Sequence, residues 1–178
     1  MKYYLVALFD EESYKNLNPV QRNLSKKFRA NRNSPSPYIP LEVVDNPNMD
    51  KLDLIIDKIT KPYKNFKIQM CNQVSISEYN KTINLKIEDR GYIKRLNRLI
   101  NDTLKLHGFN IKNFNNEIPM HISIANLNFI PKDMKRTDGE INLKSKSDIL
   151  KVNRIELWKM SSNKKETLIK TYHLKQNS

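Results

Sequence analysis

Met120-His121-Ile122-Ser123-Ile124-Ala125-Asn126-Leu127 reads as a short β-strand with two unlike faces. Side chains alternate along a strand, so Ile122 and Ile124 point one way while His121 and Ser123 point the other, roughly 7 Å apart along the chain. The isoleucine face belongs against a core. The opposite face carries an imidazole, which exchanges a proton near neutral pH, and a hydroxyl, which donates to an anionic oxygen. That pair suits a phosphate group. A single strand histidine also serves plain structural roles, so the neighbouring sequence has to decide between the two.

Upstream of this strand, Tyr92, Ile93, Leu96, Ile100 and Leu104 predict a helix that Gly108 closes as a C-terminal glycine does, with an Asn-rich loop after it. His107 sits in the last turn, where it suits the helix dipole without any chemistry. Before that helix, Phe66 to Ile76 and Ile83 to Ile87 alternate apolar and polar residues around a polar turn at Glu78 to Lys81, predicting an antiparallel hairpin. The stretch Lys61 to Lys67 interleaves bases and aromatics as single-strand binders do, yet it reads as a helix-to-strand connector. Leu52, Ile55, Ile56 and Ile59 predict another helix, starting near Asp50 and ending before Pro62.

Further back, Tyr38-Ile39-Pro40-Leu41-Glu42-Val43-Val44 has strand composition, and Pro40, which cannot donate to a ladder, makes it an edge or bulged strand. A Pro- and Ser-rich connector, Ser34 to Pro37, precedes it. Asn18 and Pro19 look like an N-cap and first helical position for a helix carrying Val20, Leu24 and Phe28 on one face. Its far end bears Arg22, Lys26, Lys27, Arg29 and Arg32 with no acid between them. Dipole matching and solubility account for such charges, and contact with phosphates is the other reading. Lys2 to Phe9 is the opening strand, buried on both faces and bounded by Asp10, Glu11 and Glu12.

Downstream, Pro131 breaks the strand, and Pro131 to Ser147 reads as a polar loop with at most a short helix or strand. Ile149 to Met160 and Glu166 to Lys175 predict a closing hairpin turned by Ser161-Ser162-Asn163-Lys164. The elements mix without a regular βαβ repeat, which predicts an antiparallel α+β fold. Trp158 reads as core or edge packing and Cys71 has no partner motif. His173, on the last strand, has no spacing that ties it to a site.

Composition narrows the chemistry. The 178 residues carry a net charge of +13, and Leu, Ile, Val and Phe supply 28% of them, enough for a packed core. A single domain spanning 1–178 is expected, with a monomer as the expected assembly. Lysine outnumbers arginine 24 to 8 and asparagine reaches 23, a skew that AT-rich coding produces as readily as selection for binding. The field still concentrates phosphate-bearing ligands whatever its origin, so RNA or a nucleotide is the favoured partner. Three glycines leave no room for a phosphate-cradling or dinucleotide-binding glycine motif, so nucleoside-triphosphate and NAD chemistry are not expected. One cysteine and three histidines give no zinc spacing; no metal and no cofactor are expected. The opening run is too short for a leader, and no apolar stretch approaches the roughly 18 residues of a membrane helix. A soluble cytoplasmic protein without a membrane partner is the expectation.

Tyr38-Ile39-Pro40-Leu41 and His121-Ile122-Ser123-Ile124 lie 83 residues apart, each after a helix and a proline-containing loop, like halves of a duplication. Here the chain resembles the two-histidine (2H) phosphoesterase superfamily, which includes bacterial 2'-5' RNA ligases and RNA 2',3'-cyclic phosphodiesterases. The resemblance spans nearly the whole chain. It implies a bilobal, pseudosymmetric fold of two antiparallel sheets facing a central cleft, with helices packed outside. Members carry two His-x-Thr/Ser-x tetrapeptides across that cleft and work without a metal.

The resemblance makes His121 an acid/base histidine and Ser123 a phosphate-binding hydroxyl. The first motif departs from the pattern: Tyr38 stands in the histidine's place and Pro40 in the hydroxyl's. Activity on a 2',3'-cyclic or 2'-5' phosphodiester of RNA or a nucleotide is then expected to be reduced. The alternative is a non-catalytic RNA- or nucleotide-phosphate-binding module on the same scaffold. Tyr38 can stand in as a proton donor, its reference pKa of about 10 suiting an acid better than a base. Glu42 is a further base candidate if the strand period holds through Pro40.

Overall fold

The computed structural model describes residues 1–112, 118–130, 139–140 and 148–176, of which 139–140 through their backbone. The elements in chain order are β1 (Lys2–Phe9), α1 (Glu11–Phe28), β2 (Ile39–Asp45), α2 (Met49–Thr60), β3 (Phe66–Ser77), β4 (Thr82–Ile87), α3 (Tyr92–Leu106), β5 (Asn110–Ile111), β6 (His121–Asn126), β7 (Gly139–Glu140), β8 (Ile149–Met160) and β9 (Glu166–His173). The expected hairpins, β3–β4 and β8–β9, are both present, and all pairings between these strands are antiparallel. Residues 131–138 and 141–147, most of the predicted polar loop, and 113–117 of the Asn-rich loop lie outside the described residues.

Sheet order is β5-β2-β1-β8-β3-β4-β6, with β9 on β8 and β7 on β3. Strand β3 joins two halves. Its first residues, Phe66 to Gln69, pair with β8, whereas Met70 to Ser77 pair with β4. One lobe is therefore built on β1, β2, β8 and β9, and the other on β3, β4 and β6. The lobes meet again at the far end of the path, where Tyr38, just before β2, forms an isolated antiparallel bridge with Ser123 of β6. Pro40 explains why that bridge stays single. The next hydrogen-bonded pair in this register would be Pro40 with His121, and proline has no N–H to donate.

Helix α1 begins two turns earlier than the sequence predicts. Asp10 is its N-cap, accepting from the Ser13 N–H at 2.8 Å, and Glu11 and Glu12 complement the dipole. Pro19, expected at the first helical position, lies inside the helix instead. An interior proline costs about 3 kcal/mol. The cap and the burial of Ser13, Leu17, Val20, Leu24 and Phe28, which recur every three or four residues along one face, outweigh it. Helix α2 has Asn48 as its N-cap and buries Leu52, Ile56 and Ile59, as the spacing predicts; the Lys61 to Lys67 stretch is its connector to β3. Helix α3 ends at Gly108, whose φ of 77° is the left-handed conformation that glycine adopts without a Cβ penalty.

The opening strand β1 is buried on both faces, as expected. Leu5, Ala7 and Phe9 join the main core beneath the helices, whereas Val6 and Leu8 join a smaller cluster with Tyr38 and Trp158 on the opposite side of the sheet. Helix α1 packs on β6 and β8, α2 on β9, and α3 on β2, β5 and β3. The isoleucines of β6 enter the main core, as the two-faced reading of that strand requires.

Candidate functional site

The face of β6 opposite those isoleucines opens into a cavity of about 240 Å³. His121 and Ser123 line it, and so do Tyr38 and Pro40 from the first tetrapeptide. Two segments 83 residues apart in sequence therefore share one hollow. The bridge fixes how they do so: Tyr38 N–H donates to the Ser123 carbonyl at 3.3 Å and Ser123 N–H to the Tyr38 carbonyl at 2.7 Å. In that antiparallel register Tyr38 opposes Ser123 and Pro40 opposes His121. Each motif's first position thus faces the other motif's third.

His121 is 4% exposed. Its Nδ1 lies 2.9 Å from the Pro119 carbonyl oxygen, which can only accept, so Nδ1 carries the proton and Nε2 is the basic nitrogen. Burial holds the imidazole pKa below its ordinary value, opposed by the Pro119 contact, and the ring is neutral at pH 7. The Ser123 hydroxyl oxygen is buried and makes no hydrogen bond among the described residues. It lies beside the Tyr38 phenol, close enough to moderate that group's acidity but outside hydrogen-bonding geometry. A buried hydroxyl with no partner among the described residues is a donor that a ligand oxygen entering the cavity would engage.

Burial pushes the Tyr38 phenol up to about 12; Ser123 pulls the other way, and Tyr4 and Glu166 add to the rise. The phenol is a proton donor across the neutral range and no base. Its ring meets Trp158 edge-on, centroids 4.7 Å apart. Trp158 is itself held by its Nε1–H on Glu156 at 2.8 Å, and Glu156 by Arg154 at 2.8 Å. Tyr14 secures the approach to the motif, donating its hydroxyl to the Pro37 carbonyl at 2.8 Å. Trp158 is thus packing, as its strand position suggests, and the ring it packs against is the site's tyrosine.

Glu42 is not in the cavity. A bulge opposite Leu5 and Val6 pairs Val6 with Pro40 but Leu5 with Glu42, so Leu41 is the extra residue and the alternation inverts beyond it. The carboxylate turns to the helix side. Its Oε1 accepts from the Val43 and Lys112 N–H groups and its Oε2 from Asn101 of α3, with Glu42 1% exposed. The sequence expectation of a base on the Tyr38 face is corrected by this bulge, which proline at position 40 accompanies. His173 is exposed on β9 and does not line the cavity; nor does His107, whose carbonyl accepts from Lys51 at the end of α3.

Sequence reading missed the cations. Lys2, Lys112 and Lys164 line the cavity, and among the described residues no acidic side chain does. Lys2 and Tyr4, both lining it, are two apart on β1, so their shared face was readable; Lys112 and Lys164, in connecting segments, gave no periodicity to read. Lys164 donates to the Asn80 carbonyl at 2.6 Å, joining the β8–β9 turn to the β3–β4 turn beside the cavity, and burial followed by the nearby Lys81 lowers its pKa. Tyr79 lines the same cavity, 76% exposed, with the Lys112 ammonium 4.0 Å from its ring centroid. Among the described residues no group of three or more His, Cys, Asp or Glu side chains converges to hold a metal ion. No helix among them is long and apolar enough to cross a membrane.

No protein-family model matches the chain, and no curated protein matches it by sequence. Solved structures do match. The crystal structure of TT0787 of Thermus thermophilus superposes with a TM-score of 0.67 at 12% identity, covering 100% of both chains. A structure described as a phosphoesterase matches with a TM-score of 0.64 at 11% identity, over 98% of this chain and 99% of that one. E. coli LigT complexed with 3'-AMP matches with a TM-score of 0.62 at 12% identity, over 97% of each. At such identities the likeness is one of fold, along the entire length, and the fold of this chain is that of the 2H phosphoesterases.

Proposed function

We propose that the chain acts on a 2',3'-cyclic or 2'-5' phosphodiester of RNA or a nucleotide, in the cavity between the two tetrapeptides. The observation that carries this reading is the convergence of Tyr38, His121 and Ser123 on one lysine-lined hollow. The complexes of E. coli LigT with 3'-AMP, phosphate, ATP and NADP+ support a nucleotide phosphate as the ligand. In this reading Ser123 donates its hydroxyl to a non-bridging phosphate oxygen, and the lysines offset the anion's charge. Tyr79, exposed at the cavity, offers a ring on which a base stacks.

Hydrolysis of a cyclic phosphate then runs on two groups. Nε2 of neutral His121 takes a proton from water as its oxygen bonds to phosphorus; the phosphorus–oxygen ester bond breaks, and the Tyr38 phenol protonates the departing ribose oxygen. The imidazolium and the phenolate exchange the proton through solvent to restore the starting state. A phenol near pKa 12 is a weaker acid than an imidazolium, so turnover is slow relative to a two-histidine site.

A second reading, phosphate binding without turnover, has its own support: Pro40 stands opposite His121 where a second hydroxyl would assist. Wild type, His121→Ala and Tyr38→His are compared on adenosine 2',3'-cyclic phosphate, by product formation and by calorimetric binding. Turnover above the His121→Ala background supports the enzyme, and Tyr38→His is expected to raise it about 10²-fold or more by restoring a group matched to neutral pH. Wild type at the background rate with binding retained removes the enzyme reading and leaves the binding module. Absence of both overturns the cavity assignment.

A further inference from the structure

We infer that the cationic hollow at the C-terminal end of α1 is a second phosphate site, and that the protein takes a single RNA strand laid from it to the His121 cavity. This rests on the proposed function and specifies its substrate as a strand instead of a mononucleotide. Arg22, Lys26, Arg29 and Arg32 line the hollow together with Asn31 and Ser34, and among the described residues no acidic side chain does. The four cations are exposed and have no ion-pair partner among the described residues. The basic run at the start of α3 differs: Arg90, just before the helix, pairs with Glu88, Lys94 pairs with Asp89, and Asp102 shares their surface.

The helix dipole accounts for part of the α1 cluster only. Its influence is confined to the last turn, whereas Arg22 lies before that turn and Arg32 lies beyond the helix. Positions 22 and 26 are four apart on α1 and share one face, and Arg29, the left-handed C-cap, and Arg32, beyond the helix, meet them in the same hollow. Four cations around one hollow fit an anion larger than one phosphate.

Placement connects this hollow to the cavity. Asn31 N–H donates to the Asn126 carbonyl at 2.8 Å, Asn126 N–H donates to the Ser34 hydroxyl at 2.9 Å, and Gln21 of α1 donates to the Ile124 carbonyl at 2.9 Å. Asn126 also lines the cavity. The end of β6 is therefore common to both sites, and Ser123 and Asn126 are three positions apart, about 10 Å of strand. A nucleoside cyclic phosphate in the cavity cannot reach the arginines, but the flanking phosphates of an RNA strand can.

The test titrates the full chain with a short fluorescent single-stranded RNA and, separately, with adenosine 2',3'-cyclic phosphate, across a range of salt. Three proteins are compared: wild type, the α1 variant Arg22→Gln/Lys26→Gln/Arg32→Gln, and an α3 variant, Arg90→Gln/Lys94→Gln/Arg98→Gln, which removes equal charge elsewhere. The α1 variant is expected to bind RNA at least tenfold more weakly, with the slope of log K against log salt flatter by about 2, since each single-strand phosphate contact contributes about 0.7. Its affinity for the cyclic nucleotide stays at the wild-type value, and the α3 variant keeps its RNA affinity within threefold. An α1 variant with unchanged RNA affinity and slope, or an α3 variant equally weakened, overturns the inference. Wild type that binds the cyclic nucleotide but not the strand, or binds phosphatidylserine vesicles in place of RNA, overturns it and leaves the cavity reading intact. Wild type that binds neither RNA nor cyclic nucleotide removes both.

Discussion

Tyr38 and Ser123 exchange both backbone hydrogen bonds, at 3.3 and 2.7 Å, and this one bridge holds the two lobes' functional segments in a twofold register. Because the pairing is antiparallel, the first position of each tetrapeptide opposes the third position of the other. A histidine at 38 would face the Ser123 hydroxyl across the same hollow in which His121 faces Pro40. The scaffold for a second histidine is therefore built, and the residue present is a phenol.

The pH dependence follows from these two groups. Burial keeps His121 neutral, so the folded state binds its proton less readily than the unfolded chain does near the ordinary value of 6.5. Stability contributed by the neutral ring is full above about 6.5 and falls as pH drops from there to the lower folded value, below which the loss levels off. Urea midpoints measured from pH 4 to 8 are expected to show this acid limb in wild type and a shallower one in His121→Gln.

Turnover carries a different signature. With His121 as base and Tyr38 as acid, kcat rises across the acid limb and stays level through about pH 9, because the phenol loses its proton only near 12. Tyr38→His narrows this plateau to a bell in the neutral range. A bell in the wild type would remove Tyr38 from the mechanism.

Glu42 is a positioning carboxylate for the backbone of β2, for that of Lys112 just after β5, and for α3. Glu42→Ala leaves the Val43 and Lys112 N–H groups and the Asn101 amide without this acceptor and is expected to cost roughly 1–3 kcal/mol of stability in urea denaturation. The rate per folded molecule stays near wild type. A base in the reaction would instead lose about 10²-fold or more in kcat with stability preserved.

Trp158→Phe removes the donor that holds Glu156 and is expected to lower stability by about 1–2 kcal/mol. A double-mutant cycle with Glu156→Gln checks the origin. The two changes are expected to be less than additive, because both act on the same hydrogen bond.

Helix α1 offers a paired test of its early start. Asp10→Ala removes the cap and is expected to cost about 0.5–2 kcal/mol, whereas Pro19→Ala relieves an interior proline and is expected to raise stability by up to about 3 kcal/mol. Thermal unfolding of the two variants measures both, and a stabilising Asp10→Ala would contradict the capped start.

Local chemistry alone determined much of this protein. The two-faced strand at His121, the hairpins, helices α2 and α3 and the bulge-prone proline at 40 follow from alternation, helical spacing and the missing N–H, because each depends on residues within one or two turns of one another. Tertiary structure decided the rest. Whether Asp10 or Asn18 starts α1 depends on which apolar residues find a core, and that core is assembled from β6 and β8 far along the chain. The bulge sends Glu42 to the helices, an inversion that periodicity cannot express because one extra residue resets the phase. Lys2, Lys112 and Lys164 reach one cavity from three separate segments, and no local pattern encodes a charge whose neighbours lie so far away along the chain.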